Sequence, residues 1–217
     1  MNTQDLQSAI QIYFNQFPSN HYGKFQSILR EDQPITHVYF LDTGYVREYI
    51  ITPSGQELTL HIFRPGAIVG LTLILGNQPN KYHFQALTDA KLFAAPVKQT
   101  LDWLDQNPAI YQLLALKFTR AIRGLSLRLE NTLFTTAYEK IINQLIYLAT
   151  VFGEKNKWGQ TILNPGFTHE DLASWLGLAR ETVSRQIEQL KSRDLITYFN
   201  HTLIIKDLDK LKEELKK

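Results

Sequence analysis

The sequence predicts an α+β chain: an N-terminal β-roll of the double-stranded β-helix (jelly-roll) kind, one long helix, then two short helices with a β-hairpin wing. Three observations predict it. Between residues 23 and 96 the apolar residues recur at every second position in short runs broken by turn sequences, the pattern of a sandwich or roll. After Pro96 the period becomes helical, and residues 109–135 contain no proline and only Gly124 as a glycine. Residues 168–194 read THEDLASWLGLARETVSRQIEQLKSRD, two amphipathic stretches joined through Gly177. The chain therefore divides into a roll over residues 1–108, a long helix over 109–136 and a C-terminal domain over 137–217.

Composition bounds the rest. In 217 residues, 44% hydrophobic and 20% charged residues describe an ordinary globular chain, not a disordered one. The net charge of +2 is too small to draw nucleic acid by bulk attraction. Residues 1–106 carry 7 basic and 9 acidic side chains, 107–136 carry 4 and 1, and 137–217 carry 12 and 11, so a DNA reader must place its charges locally. There are no cysteines, which removes disulfides, thiolate zinc sites, Cys-ligated iron–sulfur clusters and thiol redox sensing. The N-terminal MNTQDLQSAIQIYF has no basic region ahead of a cleavable apolar core. The longest apolar run, residues 67–75, includes Gly70 and Thr72, well short of the ~20 residues that span a bilayer. A cytoplasmic protein with no membrane contact is expected.

Taken in order, residues 2–17 set Leu6, Ile10, Tyr13, Phe14 and Phe17 at helical spacing, a short packing helix closed by Pro18. Runs 38–41, 45–51, 57–63 and 82–88 are rich in β-branched and aromatic residues, with turn sequences between them at 42–44, 52–55, 64–66 and 75–77. Gly44 and Gly55 suit turns that need positive φ. Residues 97–104 predict a short helix ended by Asn107-Pro108, and the helix that follows is ~40 Å long at 1.5 Å per residue. On it Leu114, Phe118, Ile122, Leu125, Leu129 and Leu133 form one stripe, with Arg120, Arg123, Arg128 and Glu130 largely off it. Such a stripe serves either as part of the roll's own core or as the seam of a homodimer. Residues 138–152 predict a helix burying Ile141, Ile142, Leu145, Ile146, Leu148 and Ala149. A polar connector (153–159), a strand (160–163) and the turn Asn164-Pro165-Gly166 lead into the two-helix stretch. Residues 195–199 and 202–205 flank Asn200-His201 as a hairpin, and 207–217 form an acidic-then-basic tail that suits its own helix dipole.

The two-helix stretch carries the chemistry. Thr168 is placed to cap the first helix, with Asp171 as a shorter capping-box acid. Leu172, Ala173 and Leu176 face inward, Gly177 makes the turn, and Ala173 is small enough for the helices to cross closely. Val183, Ile187 and Leu190 bury one side of the second helix, leaving Arg180, Glu181, Ser184 and Arg185 on its exposed N-terminal half. That half of a recognition helix reaches base edges. Arginine offers paired donors to guanine, and glutamate accepts from the cytosine amine. Thr182, Ser184 and Lys191 suit phosphate contacts, and Thr168 completes the candidate DNA-contacting set. The plainer reading makes Arg180–Glu181 and Arg185–Glu188 solvated surface pairs. The small residue, turn glycine, apolar spacing and following hairpin coincide, which favours DNA.

The phrase THEDLA…GLARETVSR over residues 168–185 resembles the winged helix-turn-helix of the CRP/FNR family of bacterial transcription regulators. The order of roll, long helix and winged domain agrees with that family over residues 20–207. The resemblance implies a sequence-specific regulator that binds an inverted repeat of double-stranded DNA as a homodimer, with RNA polymerase as a further partner. It makes 1–108 an effector-sensing domain of cyclic-nucleotide-binding-like fold, 109–136 a dimerisation helix and 137–217 the DNA-binding domain. Arg180, Glu181 and Arg185 would contact bases in a TGA-like half-site, with Ser184 tuning it. The Glu-x-x-Ser-Arg pattern is similar to the FNR branch, and the preceding arginine to the CRP branch.

The sensor side departs from the family. Cyclic-nucleotide binders hold ribose with a glutamate after a glycine and phosphate with an Arg-Ser/Thr pair. Aligned on Gly66 and Gly70, this chain has Leu71 in the first position and Lys81-Tyr82 in the second. Leucine cannot accept from hydroxyls, and lysine lacks the planar fork of arginine, so cyclic AMP is not the expected effector. Residues 69–73, with Thr72, and 81–84 loosely resemble the pocket of the 2-oxoglutarate-responsive nitrogen regulators. There Lys81 with Arg120 or Arg123 would hold a small anion; equally, Lys81 is a loop charge and side chains fill the pocket. No cofactor is expected. The six histidines form no His-x-His or His-Glu-x-x-His pattern and no catalytic motif is present, so neither a metal site nor an enzyme is indicated. The alternative is a ligand-binding or enzymatic β-roll whose helical C-terminal part ignores DNA.

Overall fold

The computed structural model describes residues 3–164, 166–200 and 202–216, and the side chains of all of these except 127, 128, 130–134 and 216. What the sequence predicts for the side chains of Arg128, Glu130 and Leu133, and for Pro165 and His201, lies outside the described residues. The chain forms two compact units, Met1–Ile50 with Leu60–Gly124, and Ile51–Thr59 with Leu125–Lys217.

The first unit holds, in order, α1 (Thr3–Phe14), β1 (Ser19–Tyr22), β2 (Ser27–Leu29), β3 (His37–Thr43), β4 (Val46–Ile51) as far as Ile50, β5 (Glu57–Phe63) from Leu60 on, β6 (Ile68–Val69), α2 (Leu71–Leu75), β7 (His83–Ala86), β8 (Ala90–Pro96) and α3 (Val97–Asp105), with the start of α4 (Pro108–Phe134). The strands make two four-stranded sheets, ordered β1-β8-β3-β6 and β2-β7-β4-β5, which is the predicted roll. Its longest ladder pairs β3 with β8 antiparallel, from His37 opposite Pro96 to Thr43 opposite Lys91. Strand β3 is buried on both faces. Val38 and Phe40 join Ile10, Phe14, Leu71, Leu104, Ile110, Leu113 and Leu114 in a cluster under the helices. Leu41 joins Leu29, Val46, Val69, Phe84, Ala86 and Leu92 in a second cluster. Two close packings brace α1: Tyr13 stacks on Trp103 at 4.0 Å and Phe14 on Phe40 at 5.4 Å. The stripe predicted along α4 divides. Leu114 is buried and Phe118 packs beside it, whereas Ile122, Leu125 and Leu129 are 64%, 55% and 60% exposed.

The second unit holds the end of α4, then α5 (Ala137–Phe152), β9 (Gly153–Lys155), β10 (Thr161–Leu163), α6 (His169–Leu176), α7 (Arg180–Ser192), β11 (Ile196–Phe199), β12 (Thr202–Ile205), α8 (Leu208–Glu213) and a 3-10 turn, Glu214–Lys216. Helix α5 begins in a full capping box: the Glu139 N–H donates to the Thr136 hydroxyl and the Thr136 N–H to the Glu139 carboxylate. Those bonds hold the Glu139 carboxyl below its usual value. The buried face of α5 is Ile141, Ile142, Leu145, Leu148, Ala149 and Phe152, with Ile146 half-buried. Phe152, Phe167 and Trp175 then run ring to ring at 5.6 and 6.2 Å, tying α5 to α6. The predicted connector after α5 contains strand β9. It pairs with β10, which pairs with β12, so the wing is part of a four-stranded sheet, β11-β12-β10-β9. Among the described residues, no helix is long and apolar enough to cross a membrane.

Candidate DNA-binding site

The site starts from the caps of two short helices. Thr168 precedes α6 in an extended conformation; its hydroxyl accepts from the Asp171 N–H at 3.1 Å, and its own N–H donates to the Asp171 carboxylate at 2.8 Å. Two otherwise unpaired donors at the helix start are thereby satisfied. Gly177 ends α6 at φ 63°, ψ 34°, a left-handed conformation that costs most residues with a Cβ about 1–2 kcal/mol and asparagine less. The Leu178 N–H then reaches back to the Ala173 carbonyl at 3.1 Å, and α7 begins two residues later. Leu172, Ala173, Ser174 and Trp175 of α6 are buried, as are Val183, Ile187 and Leu190 of α7. Leu176, predicted to face inward, is half-buried, and Trp175 fills the position beside it.

Burying that face fixes what α7 presents. Arg180, Glu181, Arg185 and Lys191 are exposed, and Thr182 and Ser184 are partly so. The surface pairs of the plainer sequence reading do not form. Arg180 leans on Glu170 of α6 at 3.8 Å, with both side chains largely solvated. Glu188 is taken by Lys191 at 2.9 Å, not by Arg185. Among the described residues, neither Glu181 nor Arg185 has a side-chain hydrogen bond or ion pair. The wing follows directly. In its hairpin Ile196 opposes Ile205 and Phe199 opposes Thr202, which leaves Phe199 67% exposed beside Asn200 at φ 47°.

The roll distributes its candidates differently. Gly70 sits at φ 84° before α2. Leu71 is 1% exposed and belongs to the helical cluster with Ile10 and Leu104. Tyr82 packs on the other cluster, beside Phe84. Thr72, Lys81, Arg120 and Arg123 are all exposed. Two surface clefts of this unit, about 280 and 390 Å³, are lined by other residues, among them Asn80 in one and Tyr39 in the other.

Two family models cover most of the chain: the cyclic nucleotide-binding domain matches residues 19–107 and the Crp-like helix-turn-helix domain residues 139–214. The chain belongs to the CRP/FNR family of transcription regulators. A global nitrogen regulator of Nostoc sp. is 27% identical over 174 residues, covering 79% of this chain and 78% of that protein. A CRP-like cAMP-activated global transcriptional regulator of Mycobacterium tuberculosis is 24% identical over 204 residues, covering 94% and 91%. Among solved structures, a CooA mutant from Carboxydothermus hydrogenoformans shares the fold, with a TM-score of 0.77, 24% identity and coverage of 93% of this chain and 89% of that one. This CRP/FNR chain is thus a transcription regulator with a helix-turn-helix DNA-binding domain. The reading of its C-terminal part as a helical appendage indifferent to DNA is set aside.

Two groups escaped the sequence reading. Glu48 lies on β4 opposite Phe84 and on the same face as Val46, so it points at the cluster formed by those residues. Burial pushes its carboxyl up to about 7, and no side-chain hydrogen bond or ion pair holds it among the described residues. Strand alternation through Val46-Arg47-Glu48 was the available signal. The second is Tyr198 in β11. Burial and then the charge of Glu188 push its hydroxyl up to about 12, and the buried oxygen has no hydrogen-bond partner among the described residues.

Proposed function

We propose that this CRP/FNR regulator acts in the cytoplasm as a homodimer, reading an inverted repeat through one α7 from each protomer, with RNA polymerase as the partner of the DNA-bound form. The observation that carries the reading is the exposed face of α7: among the described residues Glu181 and Arg185 have no side-chain partner, and Arg180 has only a solvated contact. Arg185 can turn both donors to guanine without breaking a contact among the described residues, Arg180 can do so by giving up its solvated contact with Glu170, and Glu181 can accept from cytosine. Thr168, Thr182, Ser184 and Lys191 are assigned to the phosphates that set the helix in register. The exposed Ile122, Leu125 and Leu129 of α4 support the dimer, which the geometry of DNA also requires, since two helices in successive major grooves lie ~34 Å apart. The burial of Leu71 in an apolar cluster supports an effector other than cyclic AMP.

Selection from a random-sequence duplex pool tests this. The protein should enrich a palindrome with a TGA-like half-site, and its affinity should fall steeply with salt as phosphate counterions are released. Enrichment of no palindrome, or binding insensitive to salt, overturns the reading.

A further inference from the structure

We propose that His169 takes up a proton when the protein docks on DNA, giving each protomer a phosphate contact that strengthens as the pH falls. The inference rests on the assignment of α6 and α7 as the DNA-facing pair.

His169 is the first residue of α6, directly after the capping Thr168, and is half-buried. Its ring lies edge-on to Tyr198 of β11, with centroids 6.1 Å apart. The charged groups around it come from α7, namely Glu188, Arg180 and Lys191, and from its own helix, where Glu170 contacts Arg180. Glu188 favours the charged ring more than either cation alone opposes it, but Glu188 is shared with Lys191, and the Tyr198 hydroxyl has no hydrogen-bond partner among the described residues. Burial above all, with Arg180 and Lys191 adding to it and Glu188 opposing, holds the imidazole below its ordinary value in the free protein.

Docking reverses that balance. A helix-turn-helix lays its first helix across the DNA backbone, and a helix start directs its positive end at an arriving phosphate. The phosphate places a negative charge beside His169, while Lys191 turns to the backbone and Arg180 to a guanine, so the two cations that had disfavoured its protonation are drawn to the DNA. The imidazolium is then favoured and donates to the phosphate. By linkage, a group whose value is higher in the complex contributes affinity that is complete below its free-protein value and is lost as pH rises through its DNA-bound value. The contribution therefore fades on going from mildly acidic to alkaline pH.

The test titrates the full-length protein onto its pool-selected duplex at constant salt between pH 6 and 8.5, beside His169→Gln, His169→Arg and Tyr198→Phe. Wild-type protein should tighten as pH falls, by up to about tenfold per pH unit for each histidine that gains a proton. His169→Gln should bind with that part of the slope gone. His169→Arg, charged throughout, should bind without it and hold its affinity at high pH. Tyr198→Phe should keep the wild-type slope, since the hydroxyl it removes has no hydrogen-bond partner among the described residues. The other histidines are common to all four proteins and cancel in the comparison. A flat wild-type profile, or a His169→Gln slope equal to wild type, overturns the inference. The double variant Arg180→Ala with Arg185→Ala separates the two possible failures. If it binds the duplex as wild type does, the DNA-facing assignment falls; if it loses binding while His169→Gln keeps the slope, only the inference falls.

Discussion

Arg180 and Arg185 share one helix and one kind of side chain, yet they enter the complex from different starting points. Arg180 gives up a 3.8 Å contact with Glu170; Arg185 gives up nothing that the described residues hold. Each truncated to alanine should cost roughly 1–3 kcal/mol on the selected site and relax one base pair per half-site. Competition against single-substitution duplexes reads this, and equal weakening on every sequence would reassign the residue to phosphate. In the roll, Glu48 makes a prediction of opposite character, about stability. Its carboxyl is raised to about 7 from an ordinary 4.5, so the folded state holds the proton more tightly than the unfolded chain. That contribution is complete below pH 4.5 and is lost as pH climbs through 7. Glu48→Gln should therefore raise the melting temperature little at pH 5 and clearly at pH 8, by the equivalent of about 1–3 kcal/mol. An equal gain at both pH values would show that ionisation is not the cause. The exposure of both arginines could be read from the sequence because it follows from burying Val183, Ile187 and Leu190. Glu48 was harder to read, because an inward carboxylate interrupts the alternation by which a strand's inner face is recognised, and only its spacing from Val46 pointed to it.

At the scale of elements, α6 and α7 were readable because each announces itself twice, by apolar spacing and by cap chemistry. Thr168 and Asp171 close both arms of a capping box, and Gly177 supplies the left-handed turn. Thr168→Ala should cost about 1 kcal/mol and Gly177→Ala about 1–2 kcal/mol in thermal unfolding. Gly177→Asn should cost less than Gly177→Ala, because asparagine tolerates that conformation; equal losses would move the cause from backbone strain to packing. The elements that escaped prediction lacked such double marking. Strand β1 is Ser-Asn-His-Tyr, largely exposed, and joins the sheet through its backbone pairing with β8. Strand β9, Gly-Glu-Lys, is exposed throughout. Backbone hydrogen bonding leaves no trace in a side-chain pattern, so an exposed strand of three or four residues reads as loop. Helix α2 misleads in the other sense: Leu71-Thr72-Leu73-Ile74-Leu75 has strand-like composition, and it is one turn of helix because Gly70 reverses the chain at φ 84°.

For the whole molecule the open quantity is the seam between protomers. The stripe along α4 left two uses open, core packing or dimerisation, and the core takes only part of it. Leu114 is spent in the core, while Ile122, Leu125 and Leu129 remain exposed. Burying those three on each of two helices would release on the order of 10 kcal/mol, at about 1.5–3 kcal/mol per fully buried side chain less what is already covered. Association costs roughly 4–15 kcal/mol, so such a seam is of the size a dimer needs, with little to spare. Leu125→Glu should then tip the balance, because a two-fold axis places two buried carboxylates in one interface. The variant should sediment as a monomer while its melting transition, followed at α5 and the wing, stays near wild type. Its affinity for the full palindrome should fall by about 10²–10⁴-fold, the avidity lost when the half-sites are no longer bound as a linked pair, with binding to an isolated half-site unchanged. A Leu125→Glu protein that remains a dimer and keeps its palindrome would place the seam elsewhere on the chain.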